Sequence, residues 1–307
     1  MPSRKDVKGR IASVKNIHKI TRAMEMVAAA RLRRAEQRIL SLRPYADAIR
    51  RLTRQAAQAA EAMPRVAILS EREQLRNVGV LLVTGDRGLA GAFNSNILRT
   101  GMQVRAEHEA NGASVSWYAV GRRGVSSLSF RKLDPVEQYV GITDRPSYAD
   151  ARDIANDLVA AYVDERLDRV DIVYNSYISP LTQRVTREVL LPVQEAHVIS
   201  GGANGEEGAE PEPDEAEQAQ QRALWIYEPD PEEILQRLLP DFVEISVFRA
   251  LLESTASEHG ARMTAMRSAS ENANDMIDDL TLEANRVRQA EITQEIMEVV
   301  AGAEALG

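Results

Sequence analysis

The stretch KITRAMEMVAAARLRRAE, Lys19–Glu36, decides how the ends of this chain fold. It has no glycine or proline and consists largely of strong helix formers. Apolar or small residues recur at steps of three and four around it, which predicts one helix over residues 4–60, roughly 85 Å long at 1.5 Å per residue. Pro44 should bend this helix without ending it. The predicted seam is Val7, Ile11, Val14, Ile17, Ile20, Met24 and Val27 and, after a one-residue slip at Ala28, Leu32, Ala35, Ile39, Leu42, Ala46 and Ile49.

The C-terminal end has the same pattern. Residues 241–302 predict a second rod of roughly 90 Å, and rods of this length must bury their apolar stripe on a partner. Its predicted seam is Ile245, Leu252, Ala256, Met263, Met266, Ala273, Ile277, Leu280, Ala284 and Val287, interrupted by His259 and Ser270.

The charge of the two ends is opposite. Residues 1–54 carry fifteen Lys or Arg against four acids, a net of +11, and residues 228–307 carry seventeen acids against six Arg, a net of −11. Matched length and opposite charge favour a single antiparallel two-stranded coiled coil. The alternative is that each helix packs into a separate bundle.

Between the rods the hydrophobic period changes to that of strands. Strands are predicted at 77–85, 114–121 and 170–179, with 182–192 as a pairing partner and 223–229 as a last strand. Helices are predicted at 89–111, from Gly121 onward, and at 147–166. Alternating strands and helices indicate a small, Rossmann-like α/β domain with a mostly parallel sheet.

Three parts follow from this pattern: an N-terminal coiled-coil helix (1–60), a central α/β domain (76–229) and a C-terminal coiled-coil helix (230–307). Within the second part, residues 201–221 hold seven acids and no apolar residue larger than alanine. Such a segment cannot offset its ordering entropy, so it is predicted to be a disordered acidic insertion.

Several kinds of chemistry are excluded by composition. The chain has no cysteine, and its four histidines occur in no ligand-spaced pair, so we expect no thiol chemistry and no metal site. The segment TGDRGLAGAFNSN after the first strand lacks the lysine of a Walker loop and the glycine spacing of a dinucleotide fingerprint. We therefore expect no catalytic residues and no cofactor. Arg31, Arg33, Arg34 and Arg38 lack aromatic neighbours for stacking on nucleic acid, and an acid-pairing role is favoured for them.

The formal net charge of −8 disfavours a general nucleic-acid binder. No apolar run approaches the roughly 20 residues that span a bilayer, and the N-terminus does not read as a signal peptide. These features suggest an intracellular bacterial protein.

Both ends resemble one family. Lys19–Glu36, with RIASVKNIHKIT before it, resembles the N-terminal helix of the gamma subunit of F-type ATP synthases, and RQAEITQEIMEVVAGAEAL (288–306) resembles the C-terminal signature of that family. GDRGLAGAFNSN, VGRRG and RPYA are also similar to it, in the same order along nearly the whole chain.

The resemblance implies a non-catalytic rotor shaft. The coiled coil would stand inside a ring of three alpha and three beta subunits, and the α/β domain at its foot would meet the epsilon subunit and the membrane c-ring. Proton flow would then drive ATP synthesis or hydrolysis in the ring, at the cytoplasmic face of the bacterial cell membrane. By family match, Met24, Arg288, Gln289, Thr293 and Glu295 would contact the acidic catch loop of the beta subunit.

Other interpretations stay open at this point. Met24 on sequence alone fits ordinary seam packing, and the acidic insertion is either inert or a contact that modulates rotation. A coiled-coil adaptor whose α/β domain binds a nucleotide is the alternative function.

Overall fold

The computed structural model describes residues 4–59, 67–72, 74–193 and 230–304. The predicted acidic insertion at 201–221 and the predicted strand at 223–229 lie outside the described residues. The chain divides into two compact units. One is formed by Met1–Ala30 with Arg262–Gly307, and the other by Arg31–Ala261.

Two long helices are contributed by the ends of the chain. Helix α1 spans Arg4–Ala59 and helix α5 spans Pro231–Glu304, with Pro44 and Pro240 inside them. The N-terminal prediction is confirmed to within a residue. The start of the second rod at residue 241 was wrong, because α5 begins at Pro231, a residue type that suits the first helical position.

The first unit, Met1–Ala30 with Arg262–Gly307, has a seam that follows a strict heptad. On α1 the buried positions are Val7, Val14, Thr21, Glu25 and Ala28. The predicted seam was wrong at Ile17, Ile20 and Val27, whose exposed fractions are 50, 59 and 54%. Because supercoiling accommodates a sustained seven-residue repeat, the seam continues past Ala28 without the predicted one-residue slip. Polar residues therefore occupy buried seam positions, and the isoleucines predicted for the seam lie outside it.

The α5 side of this seam agrees with the prediction. Met266 and Ala273 are buried, as is the interrupting Ser270. Further along, Ile277, Leu280, Ala284 and Val287 are half-buried, whereas residues 292–301 are exposed.

The second unit, Arg31–Ala261, contains a five-stranded sheet of order β3-β2-β1-β4-β5. The strands are β1 (Asn77–Val83), β2 (Ser114–Val120), β3 (Glu137–Tyr139), β4 (Arg169–Tyr177) and β5 (Gln183–Leu191). β2 and β4 flank β1 in parallel, β3 is parallel to β2, and β5 is antiparallel to β4. The four predicted strand segments of this region are confirmed to within two residues, and the short β3 was missed.

Three shorter helices connect these strands: α2 (Phe93–Ala110), α3 (Arg122–Phe130) and α4 (Tyr148–Val163). Helix α2 begins four residues later than predicted. Leu89 and Gly91 have φ values of 61° and 55°, which interrupt a right-handed helix. Helix α4 begins at a capping box formed by Ser147 and Asp150.

Each face of the sheet has its own core. On one face Leu82, Trp117 and Val173 pack with residues of α2 and α3, including Ile97 and Leu128. On the opposite face Leu81, Tyr118 and Ile172 pack with residues of α4 and of the first part of α5, including Leu158 and Val243. The first part of α5 is therefore built into the core of the α/β fold.

Candidate functional site

The residues predicted to contact the beta subunit lie in the unit of Met1–Ala30 with Arg262–Gly307. Met24 is half-buried on α1, and Arg288, Gln289, Thr293 and Glu295 are exposed on the last turns of α5. Of these, Thr293 and Gln289 are brought into contact, because the Thr293 hydroxyl donates to the Gln289 carbonyl at 2.9 Å. The exposed side chains are available to a partner, but the role assigned to them stays a prediction.

Large apolar side chains are also exposed on the two helices of this unit. Ile17, Ile20, Met26 and Val27 are exposed on α1. On α5 the exposed large apolar residues of this unit are Met276, Leu282, Ile292, Ile296, Met297, Val299 and Val300. A concentration of exposed apolar side chains of this kind marks an interaction surface.

The carboxyl edge of the parallel strands is where open α/β sheets bind ligands. Here the Asp86 carboxylate occupies the N-terminus of α3. It accepts hydrogen bonds from the backbone amides of Arg122 (2.9 Å), Gly141 (2.9 Å) and Thr143 (3.3 Å), and from the Thr143 hydroxyl (2.9 Å). Burial would raise the pKa of Asp86, but these donors hold it below its ordinary value of 3.8. A side-chain carboxylate thus takes the place that a phosphate would use.

The glycines of TGDRGLAG serve close packing at this edge. A Cβ at Gly85 would lie 2.8 Å from the carboxyl carbon of Glu258, and one at Gly88 would lie 2.8 Å from the guanidinium of Arg123. At Gly121, with φ 89°, a Cβ would meet the Thr84 carbonyl oxygen at 2.2 Å. The space left among Thr84, Thr143 and Glu258 is about 10 Å³, which is the lower limit for one water molecule. The loop that resembles a phosphate-binding segment is therefore a packed turn.

A buried ionic cluster surrounds Asp171 on β4, whose side chain is fully buried. Its carboxylate contacts the side chains of His108 (3.0 Å), Arg169 (2.8 Å) and Arg187 (2.7 Å). Burial alone would raise the pKa of Asp171, but the His108 and Arg169 hydrogen bonds and the Arg169 charge lower it. Sequence reasoning missed this cluster because His108 and Arg187 are 63 and 16 residues from Asp171, although the alternation of charged and apolar residues in 169–172 is a partial signal.

A basic cleft of about 560 Å³ lies among α1, residues 144–145 and α5 of the second unit. Arg31 pairs with Asp144 at 2.7 Å, and Arg38 donates to the Pro146 carbonyl at 3.3 Å. The predicted acid-pairing role is confirmed for Arg31, whereas Arg33 and Arg34 are exposed.

In the described ranges no cluster of three or more His, Cys, Asp or Glu side chains could hold a metal ion. Among the helices that the structure describes, none combines the length and hydropathy needed to cross a bilayer.

Comparison with known proteins gives a consistent result along the chain. The family described as ATP synthase matches residues 3–306. The ATP synthase gamma chain of Rubrobacter xylanophilus is 44% identical over 306 residues, covering 100% of this chain and 99% of that protein. The gamma chain of Desulfitobacterium hafniense is 40% identical over 306 residues and is covered completely.

Solved structures with a similar fold come from two mitochondrial complexes. A chain of the Tetrahymena thermophila ATP synthase central stalk and c-ring is similar with a TM-score of 0.55 and 25% identity, covering 82% of this chain and 99% of that chain. A chain of the Euglena gracilis ATP synthase OSCP/F1/c-ring assembly has a TM-score of 0.65 and 18% identity, covering 99% of this chain and 94% of that chain.

Proposed function

Because this chain belongs to the ATP synthase gamma-chain family, we propose that it is the central rotor shaft of an F-type ATP synthase. It couples proton flow through a membrane c-ring to ATP synthesis or hydrolysis in a ring of alpha and beta subunits, and it performs no chemistry itself. The observation that carries this proposal is the full-length similarity, 44% over 306 residues, to a gamma chain.

The partners follow from the same role. Three alpha and three beta subunits surround the two-helix unit, and the α/β fold meets the epsilon subunit and the c-ring. The exposed apolar residues of α1 and α5 support an enclosed position for the two-helix unit, since extensive exposed apolar surface marks an interaction site. The chain is a peripheral subunit, and we place it at the cytoplasmic face of the bacterial cell membrane.

We propose that the shaft contacts an acidic catch loop of the beta subunit through Met24, Arg288, Gln289, Thr293 and Glu295. The exposure of the four α5 residues supports this role. We also propose the functional division 1–60, 76–229 and 230–307, in which the two helical parts transmit rotation and the central part binds the foot partners.

Co-purification tests the proposed function. A tagged full-length chain, expressed with the other subunits of its own complex, should retain alpha, beta, epsilon and c subunits in one ATPase-active assembly. A tagged chain that returns without alpha and beta subunits would contradict the proposal. ATP titration of the isolated chain should show no saturable binding, whereas the adaptor alternative requires it.

Met24→Lys tests the catch-loop contact within the assembly. The added cation should pair with the acidic loop and raise the barrier to rotation, so ATP synthesis per proton translocated should fall. Ala12→Lys is a control, because Ala12 is an exposed residue of the same helix and is not among its exposed large apolar side chains. Equal coupling in the Met24→Lys variant and the parent would remove Met24 from the contact.

A further inference from the structure

An ion pair joins the helices of the two-helix unit between Glu25, in the seam, and Arg267, whose side chain is 51% exposed at the edge of the seam. Glu25 accepts a hydrogen bond from Arg267 on α5 at 3.0 Å, and another from Arg22 on its own helix at 2.8 Å. The side chain of Glu25 is only 8% exposed. A carboxylate therefore stands at a seam position between α1 and α5.

Polar groups continue on both sides of this pair. Thr21 precedes Glu25 in the heptad, and Arg262 and Ser270 are buried on α5. Buried charge in a coiled-coil seam is costly, and its best-attested use is to specify the pairing of the helices. The buried polar residues of this seam are therefore expected to specify how the two helices pair.

Apolar packing discriminates only partly between registers of this seam. Its buried apolar residues range in size from Ala28 and Ala273 to Met266. A slip of one heptad moves a helix by about 10 Å at 1.5 Å per residue. Because such a slip returns each seam position to the seam, its apolar residues stay buried, and the main penalty falls on groups that need a specific partner.

The ion pair does distinguish these registers. A seven-residue slip would bring Gly260 or Asn274 to the place of Arg267, and a four-residue slip would bring Met263 or Glu271. None of these residues is a cation. In each slipped register Glu25 would lose its partner on the other helix while remaining in the seam.

We infer that the Glu25–Arg267 ion pair fixes the register of α1 against α5. Met24 directly precedes Glu25, so the pair also sets the height of Met24 relative to Arg288 and Gln289. Glu25 is in this sense a positioning residue. Only this functional consequence rests on the proposed function.

Cysteine cross-linking tests the register, since the chain has no cysteine of its own. Thr21→Cys is combined in three full-length variants with Met263→Cys, Ser270→Cys or Ile277→Cys, seam positions seven residues apart on α5. Whichever partner gives the predominant intramolecular disulfide defines the register of the parent; the position of Arg267 favours Ser270→Cys.

Glu25→Ala or Arg267→Ala in this background should abolish the single predominant product and distribute cross-linking over two or more partners. The charge-swapped double variant, Glu25→Arg with Arg267→Glu, should restore it. Arg22→Ala is the matched control, because Arg22 bonds Glu25 within one helix and carries no information on register. If both alanine variants retain the single product of the parent, with helicity unchanged by circular dichroism, the inference is overturned.

A second measurement separates the register from the proposed function. Assembled complexes carrying Glu25→Ala should pump fewer protons per ATP hydrolysed, and the charge swap should recover that ratio. Redistributed cross-links with an unchanged ratio would keep the register inference and overturn the role of Met24 in coupling. Unchanged cross-links would overturn the register inference and leave the co-purification test intact.

Discussion

The two units of this chain bury their side chains in opposite ways. In Arg31–Ala261, large residues such as Leu81 on one face of the sheet and Leu82 on the other are completely buried. In Met1–Ala30 with Arg262–Gly307, polar residues such as Thr21, Glu25 and Ser270 are buried in the seam beside apolar ones, and Ile17 and Ile20 are exposed. The sheet unit thus has large apolar cores of its own, whereas the two-helix unit buries polar residues in its seam and leaves many of its large apolar side chains exposed.

The largest effect expected from this difference comes from truncating one apolar side chain in each unit. Leu81→Ala should lower the free energy of unfolding by about 3–5 kcal/mol, because it creates a cavity in the sheet core. Ile20→Ala should stay within about 0.5 kcal/mol, because Ile20 is exposed. The stability of the Leu81→Ala variant is measured by urea unfolding, followed by the fluorescence of Trp117. A Trp225→Phe background leaves Trp117 as the only tryptophan.

The stability of the Ile20→Ala variant is measured by circular dichroism at 222 nm, since the two-helix unit has no tryptophan. Comparable losses for the two substitutions would remove the distinction between the units.

Removing the carboxylate at the carboxyl edge should have the next largest effect. Asp86→Ala deprives the amides of Arg122, Gly141 and Thr143 of their acceptor, at a cost of about 2 kcal/mol of unfolding free energy in the sheet unit. Asp134→Ala, at an exposed aspartate of the same unit, is the control and should be near neutral. The Trp117 signal reports both variants.

A further outcome of the Asp86 variant concerns phosphate. If inorganic phosphate stabilises the Asp86→Ala protein but not the parent, the edge is a phosphate site that the carboxylate keeps closed. If it stabilises both equally, the carboxylate does not occupy that position in solution.

Acidic pH should lower the free energy of unfolding of the sheet unit, because the pKa values of two of its carboxyl groups are depressed. Hydrogen bonds and neighbouring cations hold the pKa of Asp86 and of Asp171 below the ordinary 3.8, against the upward effect of burial. A depressed folded-state pKa contributes stability that is present above 3.8 and is lost as the pH falls through the lower folded value. The free energy of unfolding read from Trp117 should therefore decline below about pH 4, and less steeply in Asp86→Ala. Parallel declines in parent and variant would exclude Asp86 as a source.

The sequence predicted the fold where one physical signal dominated. Continuous apolar runs located β1, β2 and β4, and the alternation in residues 182–192 located β5, because burial on two faces or one face leaves a clear period. β3 was missed because its three residues, Glu137–Tyr139, are exposed or half-buried and carry no such period.

The candidate site was less predictable for a different reason. Ile17 and Ile20 were assigned to the seam by hydrophobicity, but the seam is chosen by the supercoil and takes Thr21 and Glu25 instead. We attribute the exposure of these isoleucines to partner subunits, which a single sequence does not contain. Likewise, no sequence motif predicted the role of Asp86 as an acceptor, because its donors are backbone amides 36 and 55 residues away.

The smallest expected effect concerns whether the two-helix seam is optimised for stability at all. Thr21 is buried, and its hydroxyl donates to the His18 carbonyl at 3.0 Å, a group already inside the helix. Thr21→Val places a β-branched apolar residue at a seam position and should raise stability by about 0.5–1 kcal/mol. Thr281→Val is the matched control, because Thr281 makes the same kind of bond to the Ile277 carbonyl at 2.7 Å but is exposed.

Thermal unfolding at 222 nm should show a higher Tm for Thr21→Val and no shift for Thr281→Val, while the Trp117 transition stays in place in both. A gain at position 21 alone means that the seam holds polar groups at the expense of its own stability, as a seam does when pairing register matters more than strength. Destabilisation by Thr21→Val would mean instead that the hydroxyl is needed to hold α1, and that the contrast between the two units is one of residue type and not of optimisation.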